Sequence, residues 1–161
     1  MQLDFLQACE KSDIDKIKML FATGELDIHF ENDISFRIAC FCGNIQVAQL
    51  LHKLGEKFDN PIPKKAFEEA FKVSIRQEHI LKWIIEVGKI NLNMNNDKPF
   101  RQACLYGLET TAKWLYETGI KIASPIDIHA AEDEAFRSMC KNGKEDFVKW
   151  LYNLDQKVDI H

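Results

Sequence analysis

The sequence predicts an all-α protein, a solenoid of about five helix-turn-helix repeats with intervening finger loops. Five phenylalanines recur at intervals of 31, 31, 33 and 36 residues, namely Phe5, Phe36, Phe67, Phe100 and Phe136. An amphipathic stretch follows each one, and a glycine comes near its end at Gly24, Gly55, Gly88 and Gly119, with Asp155 in the fifth copy. A period of this size is typical of stacked supersecondary units, none of which buries its apolar face alone.

The repeats use nearly all of the chain, which is predicted to be a single domain over residues 1–161. Their approximate spans are 4–34, 35–65, 66–98, 99–134 and 135–161. The length is that of about one domain. The apolar content of 46% is that of a folded protein.

The first helix of each repeat is predicted from its cap and its apolar face. In the second repeat, Asp33 is expected to cap the helix by accepting backbone N–H bonds. Phe36, Ala39 and Cys40 then share one face at i, i+3 and i+4. Gly43 is expected to end that helix in the left-handed conformation, which glycine adopts without strain. The corresponding caps are Asp97 and Asp133, and the corresponding glycines are Gly107 and Gly143.

The second helix of the same repeat is predicted from about residue 45 to residue 54, and Gly55 is expected to close it in the same left-handed way. Its predicted buried residues are Val47, Ala48, Leu50 and Leu51. Matching positions in later repeats hold tryptophans that are expected in the core, namely Trp83, Trp114 and Trp150. The third repeat has Ser74 and no glycine at its first turn, so residues 75–77 are expected to form a longer connection.

Charge and composition exclude some classes of partner. A net charge of −4 gives no general attraction to nucleic acid or to an anionic membrane. No stretch approaches the roughly 18 consecutive apolar residues that a membrane span needs. The N-terminus has an early acid and no basic segment, unlike a signal peptide. We therefore expect neither a nucleic-acid partner nor a membrane partner.

Cysteine placement indicates a reducing compartment. Four of the five cysteines share one repeat slot, namely Cys9, Cys40, Cys104 and Cys140. Equivalent residues of stacked repeats lie about 10 Å apart, which is too far for a disulfide. We interpret the four as small buried residues of a protein kept in the cytosol or nucleus, with the cytoplasm as the predicted location.

No motif predicts a metal, a cofactor or a catalytic residue. Cys40 and Cys42 form the only close cysteine pair, whereas a zinc site normally needs a second pair or spaced histidines. Three histidines share a finger slot and are expected to make hydrogen bonds there, namely His29, His129 and His161. Two more are expected on solvated helix surfaces, namely His52 and His79. Because the sequence has no phosphate-cradling loop or nucleophile elbow, a small hydrolase or metal-binding protein is a third alternative only.

The second repeat carries a family resemblance. It reads Phe36-Arg-Ile-Ala-Cys40, followed by Gly43-Asn44, Val47-Ala48 and a leucine pair before Gly55. This pattern resembles the ankyrin repeat. Residues 100–119 and the Asp-Ile-His segments at 27–29 and 127–129 are similar to the divergent ankyrin-like repeats of giant DNA viruses of amoebae. Three arginines replace the family's histidine, and each is expected to bind a finger carbonyl or an acid, namely Arg37, Arg101 and Arg137.

The resemblance implies a non-catalytic module that binds a partner protein on a concave face made of finger tips and first helices. The implied partner-binding residues on helices are Ile38, Cys42, Glu69, Gln102, Tyr106, Ser138 and Asn142. Those on fingers are His29, Asn32, Ile34, Lys98 and His129. It also implies a viral protein acting in the host cytoplasm as a monomer. The alternative is a self-assembling structural or virion-associated scaffold, whose apolar end repeats would stack end to end.

Overall fold

The computed structural model describes residues 1–88 and 90–158, with side chains described as far as residue 154. These residues form ten helices and no strand, which confirms the all-α prediction. The helices are α1 Gln2–Lys11, α2 Ile14–Phe21, α3 Phe30–Phe41, α4 Ile45–Lys57, α5 Lys64–Val73, α6 Glu78–Gly88, α7 Met94–Leu105, α8 Glu109–Lys121, α9 Ala130–Lys141 and α10 Glu145–Val158. The predicted finger residue His161 and the side chain of Asp155 lie outside the described residues.

The chain divides into two compact units, Met1–Ile90 and Asn91–His161. In unit 1, α3 packs against both α1 and α5, and α2, α4 and α6 each pack against the helix before them. In unit 2, α7 packs against α8 and α9, and α10 packs against α9. Each unit therefore has one layer of first helices, backed by a layer of second helices. The single domain and the solenoid stay predictions.

Aromatic side chains fill the junction between α3 and α5 in unit 1. Phe36 is fully buried, and its ring centroid lies 4.9 Å from that of Phe67 and 6.1 Å from that of Trp83. His52 of α4 packs edge-on against Phe67 at 5.5 Å and is only 18% exposed. The prediction that His52 is solvated is therefore wrong, because its ring completes this aromatic cluster.

The residue three positions after each repeated phenylalanine is buried, an alanine in four copies and a methionine in the fifth, as are three of the four cysteines that share a slot. The fully or nearly fully buried residues are Ala8, Ala39, Ala70, Ala103, Met139, Cys9, Cys40 and Cys104. Cys140 is exposed, contrary to the prediction, because α9 buries Ala135, Ser138 and Met139 instead. Phe136 is only half-buried, because the same three residues of α9 take the buried positions.

The second helices bury less than the sequence predicts. Val47, Ala48 and Leu51 of α4 are buried, but Leu50 is half-buried. The tryptophans predicted in the core are also half-buried, namely Trp83, Trp114 and Trp150. The large indole is seldom fully enclosed, and in each case a smaller neighbour is buried instead, namely Ile84, Leu115 and Leu151.

Glycines end the first helices as predicted but do not end the second helix in the predicted way. Gly43, Gly107 and Gly143 have φ of 79°, 64° and 65°. Gly55 lies inside α4 without a positive φ, and a Cβ there would meet the carbonyl oxygen of Asn60 at 2.7 Å. Gly55 therefore lets the chain that follows α4 pass close to the helix. The longer third connection is confirmed, since residues 74–77 join α5 to α6.

Candidate functional site

Three fingers share an unusual backbone at the start of α3, α7 and α9. Residues 31–33, 95–97 and 131–133 each adopt three consecutive left-handed conformations, with φ between 48° and 60°. None of these residues is glycine, and a left-handed L-residue costs roughly 1–2 kcal/mol. Strain of this kind persists only where neighbouring groups fix it, so each turn needs restraints.

An arginine four residues after each turn supplies one restraint. Arg37 Nε donates to the carbonyl oxygen of Asn32, and its Nη2 donates to that of Glu31, each at 3.1 Å. Arg101 makes the same two bonds to residues 95 and 96, at 2.9 and 2.7 Å. The prediction that these arginines bind finger carbonyls is confirmed.

The two arginines of unit 2 differ in how many contacts they make. Arg101 also forms an ion pair with Glu134 on α9. Arg137 donates to the carbonyl oxygen of Ala131 at 3.3 Å, and its Nη1 lies 3.8 Å from the carboxylate of Glu132. The turn at 131–133 is therefore held by longer contacts than the turn at 95–97.

An aspartate at the end of each turn supplies the second restraint, by pairing with the residue four positions earlier. The pairs are His29–Asp33 at 2.5 Å, Asn93–Asp97 at 2.6 Å and His129–Asp133 at 2.6 Å. The prediction that these aspartates cap helices is wrong, because their left-handed backbone is not the extended N-cap conformation. We call each turn, with its aspartate, its arginine and the residue that pairs with the aspartate, a finger clamp.

Two clamps also join their finger to a later part of the same unit. In unit 1, His29 Nε2 lies 3.1 Å from the carbonyl oxygen of Asn60, in the segment between α4 and α5. In unit 2, Asn93 Nδ2 donates to the carbonyl oxygen of Pro125 at 2.8 Å, and its Oδ1 accepts from the hydroxyl of Ser124. These side chains therefore connect consecutive predicted repeats.

The environment of His29 raises its pKa. Burial acts to lower the pKa, but the hydrogen bonds to Asp33 and to the Asn60 carbonyl, together with the charges of Asp33 and Asp27, raise it by more. Both ring nitrogens of this predicted partner-binding residue are thus engaged within the chain. His29 therefore serves the finger clamp.

One face of α3 keeps apolar side chains accessible to solvent. Ile34 and Ile38 are half-buried, whereas Phe41 and Cys42 are exposed, Phe41 by 63%. Residues three and four apart are neighbours on a helix surface, so the four form one stripe. We call Ile34, Ile38, Phe41 and Cys42 the apolar ridge.

Two of the helices that pack against α3 carry charged side chains. On α5, Glu69 accepts a hydrogen bond from Lys72 at 2.8 Å, and this bond lowers the pKa of Glu69. On α1, Glu10 acts on Cys42, whose pKa is raised by burial and then by that charge. The finger tip at Asn32 is exposed as well. An apolar centre with a polar rim is the usual anatomy of a protein-recognition patch.

In unit 2 the equivalent face of α7 is more polar. It carries Lys98, Gln102, Leu105 and Tyr106, of which Gln102 alone is half-buried and the others are exposed. His129 is exposed and belongs to a finger clamp.

The two predicted partner-binding residues of α9 have other roles. Ser138 is only 6% exposed, so it is not part of the accessible surface. Asn142 is exposed, but its amide donates to the carbonyl oxygens of Cys104 and Leu105 at 3.0 Å each.

Sequence reasoning missed Phe41 and Leu105 as surface residues. They follow the shared cysteine slot, where the other repeats hold Glu10, Lys72 and Lys141. The sequence could have indicated this, because each is a large apolar residue at a position that is charged in the other repeats. This pattern indicates a side chain that is apolar without being needed in the core.

Metal binding and thiol reactivity are limited by two observations in the part of the chain that the structure describes. That part contains no group of three or more histidine, cysteine or acidic side chains placed to hold a metal ion. Burial raises the pKa of Cys9 and Cys104 to about 12, which keeps both thiols protonated. None of the described helices has the length and apolar character needed to cross a membrane.

Comparison of the sequence with protein-family models gives no match, and comparison with curated proteins also gives none.

Proposed function

We propose that the protein is a non-catalytic recognition module that binds a partner protein through the apolar ridge and the exposed finger tip beside it. The apolar ridge carries the proposal, because it leaves Phe41 63% exposed at a place where Ile34, Ile38 and Cys42 extend the same apolar stripe. Burying such side chains against a partner removes apolar surface from water, which favours association. The charged rim then favours partners with matching polar groups.

We further propose that the helix pairs within each unit are ankyrin-like repeats. The row of α1, α3 and α5 in unit 1, the packing of α7 on α9 in unit 2 and the recurrence of the finger clamp support this. The proposed viral origin and action in the host cytoplasm rest on the resemblance of the Phe-Arg-x-Ala-Cys and Asp-Ile-His segments.

Affinity capture from an amoebal lysate tests the recognition function with two matched variants. Phe41→Asp places a charge in the apolar ridge, whereas Met19→Asp places one on α2, where Met19 is 64% exposed. Both side chains are exposed, so both variants are expected to fold like the wild type. Wild type and Met19→Asp should retain the same partner, and Phe41→Asp should lose it.

Calorimetry with the purified partner then measures the size of the effect. A central apolar residue of an interface costs about 2 kcal/mol or more when it is lost, which is roughly thirtyfold in Kd. Equal affinity of Phe41→Asp and Met19→Asp would contradict the proposal.

A further inference from the structure

We propose that the His29–Asp33 pair is a pH-dependent lock, which in its protonated form fastens the finger at the start of α3 to the segment before α5 and on losing its proton loosens it. The inference goes beyond partner recognition, and its test contains no partner, so the two proposals fail independently.

The hydrogen-bonding capacity of the groups requires the proton. His29 Nδ1 lies 2.5 Å from a carboxylate oxygen of Asp33, and Nε2 lies 3.1 Å from the carbonyl oxygen of Asn60. An ionised carboxylate and a backbone carbonyl only accept hydrogen bonds. A neutral imidazole has one N–H and serves one of them, whereas the imidazolium has two and serves both. If the proton lies on Asp33 instead, a neutral imidazole satisfies the same two contacts. Either arrangement holds one proton more than a neutral imidazole beside an ionised carboxylate. That extra proton exchanges with water.

The finger clamp at the start of α7 has the same arrangement without the titrating group. Asn93 takes the place of His29, and its amide nitrogen donates both to Asp97 at 2.6 Å and to the carbonyl of Pro125 at 2.8 Å. An amide carries two N–H donors when neutral, so this clamp needs no added proton. The chain therefore supplies its own pH-insensitive version of the lock.

The surroundings favour the protonated pair. Within the described residues, the charged groups that act on His29 are Asp33 and Asp27, both acidic, and the segment before α5 presents the neutral carbonyl of Asn60. Asp33 is 6% and His29 is 24% exposed, so water screens the pair only in part. The pKa of His29 is raised accordingly, despite its partial burial.

Because the pKa of His29 is raised, the direction in which pH changes the stability of the lock can be derived. The pKa of histidine in an unfolded chain is about 6.5. Because the folded value is higher, the stabilisation is fully present below pH of about 6.5 and is lost as the pH rises through the folded pKa.

NMR titration and amide exchange of the full chain test the lock directly. The His29 ring is expected to titrate above about 6.5. The Asp33 amide bonds to the carbonyl oxygen of His29 within the left-handed turn, so its protection should fall as the pH rises. The fall should be about tenfold for each unit by which the folded pKa exceeds the unfolded one. A His29 pKa at or below about 6.5, or protection that does not change with pH beyond the intrinsic exchange rate, overturns the proposal.

Two variants isolate His29 from the other histidines. His29→Asn copies the Asn93–Asp97 clamp and should remove the pH dependence of protection at the Asp33 amide. His79→Asn is the matched control, because His79 Nε2 faces a single carbonyl, that of Gly43 at 2.9 Å, which a neutral ring satisfies. Retention of the wild-type pH dependence by His29→Asn, or its loss in His79→Asn, overturns the proposal. If His29→Asn does not fold, the NMR titration of the wild-type protein alone decides whether the proposal holds.

Discussion

Phe36 holds three elements of unit 1 together. It lies on α3, is fully buried and contacts Phe67 of α5 and Trp83 of α6. A buried aromatic ring contributes both its apolar area and the geometry of its ring contacts. Its loss therefore affects two interhelical junctions at once.

Phe36→Ala is expected to lower the free energy of unfolding by about 3–5 kcal/mol, because a cavity remains at both junctions. Phe136→Ala is the matched variant in unit 2, and it should cost less because Phe136 is only half-buried. Urea unfolding measures both values. Equal losses of unfolding free energy in the two variants would show that the burial of a phenylalanine does not determine how much it stabilises the protein.

The cysteines are expected to differ in reactivity according to burial. Only a thiolate reacts with an alkylating reagent, and burial raises the pKa of Cys9 and Cys104 to about 12. Native protein should therefore be labelled at the exposed Cys42 and Cys140 alone, and urea should open the other three. Mass spectrometry of digested samples reads the sites, and rapid native labelling of a buried cysteine would contradict the packing of the first helices.

At the scale of elements, side chains of one predicted repeat bind the helix end of the preceding one. Asn44 donates to the carbonyl oxygens of Cys9 at 3.0 Å and Glu10 at 2.8 Å, at the end of α1. Gln77 donates to the carbonyl oxygen of Phe41 at the end of α3 at 3.4 Å, and His79 Nε2 lies 2.9 Å from that of Gly43, just after the helix. Helix ends leave four carbonyls without helical partners, so these bonds both satisfy them and align neighbouring helix pairs.

Arg37→Lys tests the finger clamp as an element. A lysine ammonium is a compact point charge that does not reproduce the forked guanidinium, so the variant should lose one of two carbonyl bonds and about 1 kcal/mol. Amide exchange at residues 31–33 should become faster. Arg137→Lys should change less, since the bond from Arg137 to the carbonyl of Ala131 is longer, at 3.3 Å. A larger effect at Arg137 would argue against the clamp.

Gly55→Ala tests the close approach of the chain after α4. Alanine favours a helix over glycine by about 1 kcal/mol, but its Cβ would meet the carbonyl oxygen of Asn60 at 2.7 Å. We expect a net loss of about 1–3 kcal/mol, as for other overpacked sites. A net gain in melting temperature would show that residues 58–60 move aside without cost.

Gly143→Ala is the comparison for that variant. Its φ is 65° and nothing lies within 4 Å of the added Cβ. Its cost should be limited to about 1–2 kcal/mol of left-handed strain.

At the scale of the whole molecule, periodicity predicted more than local chemistry did. The recurrence of phenylalanine and alanine placed the helix pairs, because each repeat must bury the same face. The finger turns were not predictable in the same way. Asp33 in front of an apolar face reads as an N-cap, and only the combined restraints of Arg37 and His29 make a left-handed turn at 31–33 stable. The exposure of Cys140 was not predicted, because residues at equivalent positions of two repeats can have different neighbours.

Light scattering is expected to find a single chain over a wide range of protein concentration. Stable association normally buries about 1,200–2,000 Å² of surface. Leu3 at 67% and Met19 at 64% are the most exposed apolar residues of the N-terminal helices, and single exposed apolar side chains are common on monomers. A net charge of −4 adds weak repulsion between copies. A mass that grows with concentration, and that Phe41→Asp restores to one chain, would instead identify the apolar ridge as a surface for self-assembly and favour the scaffold alternative.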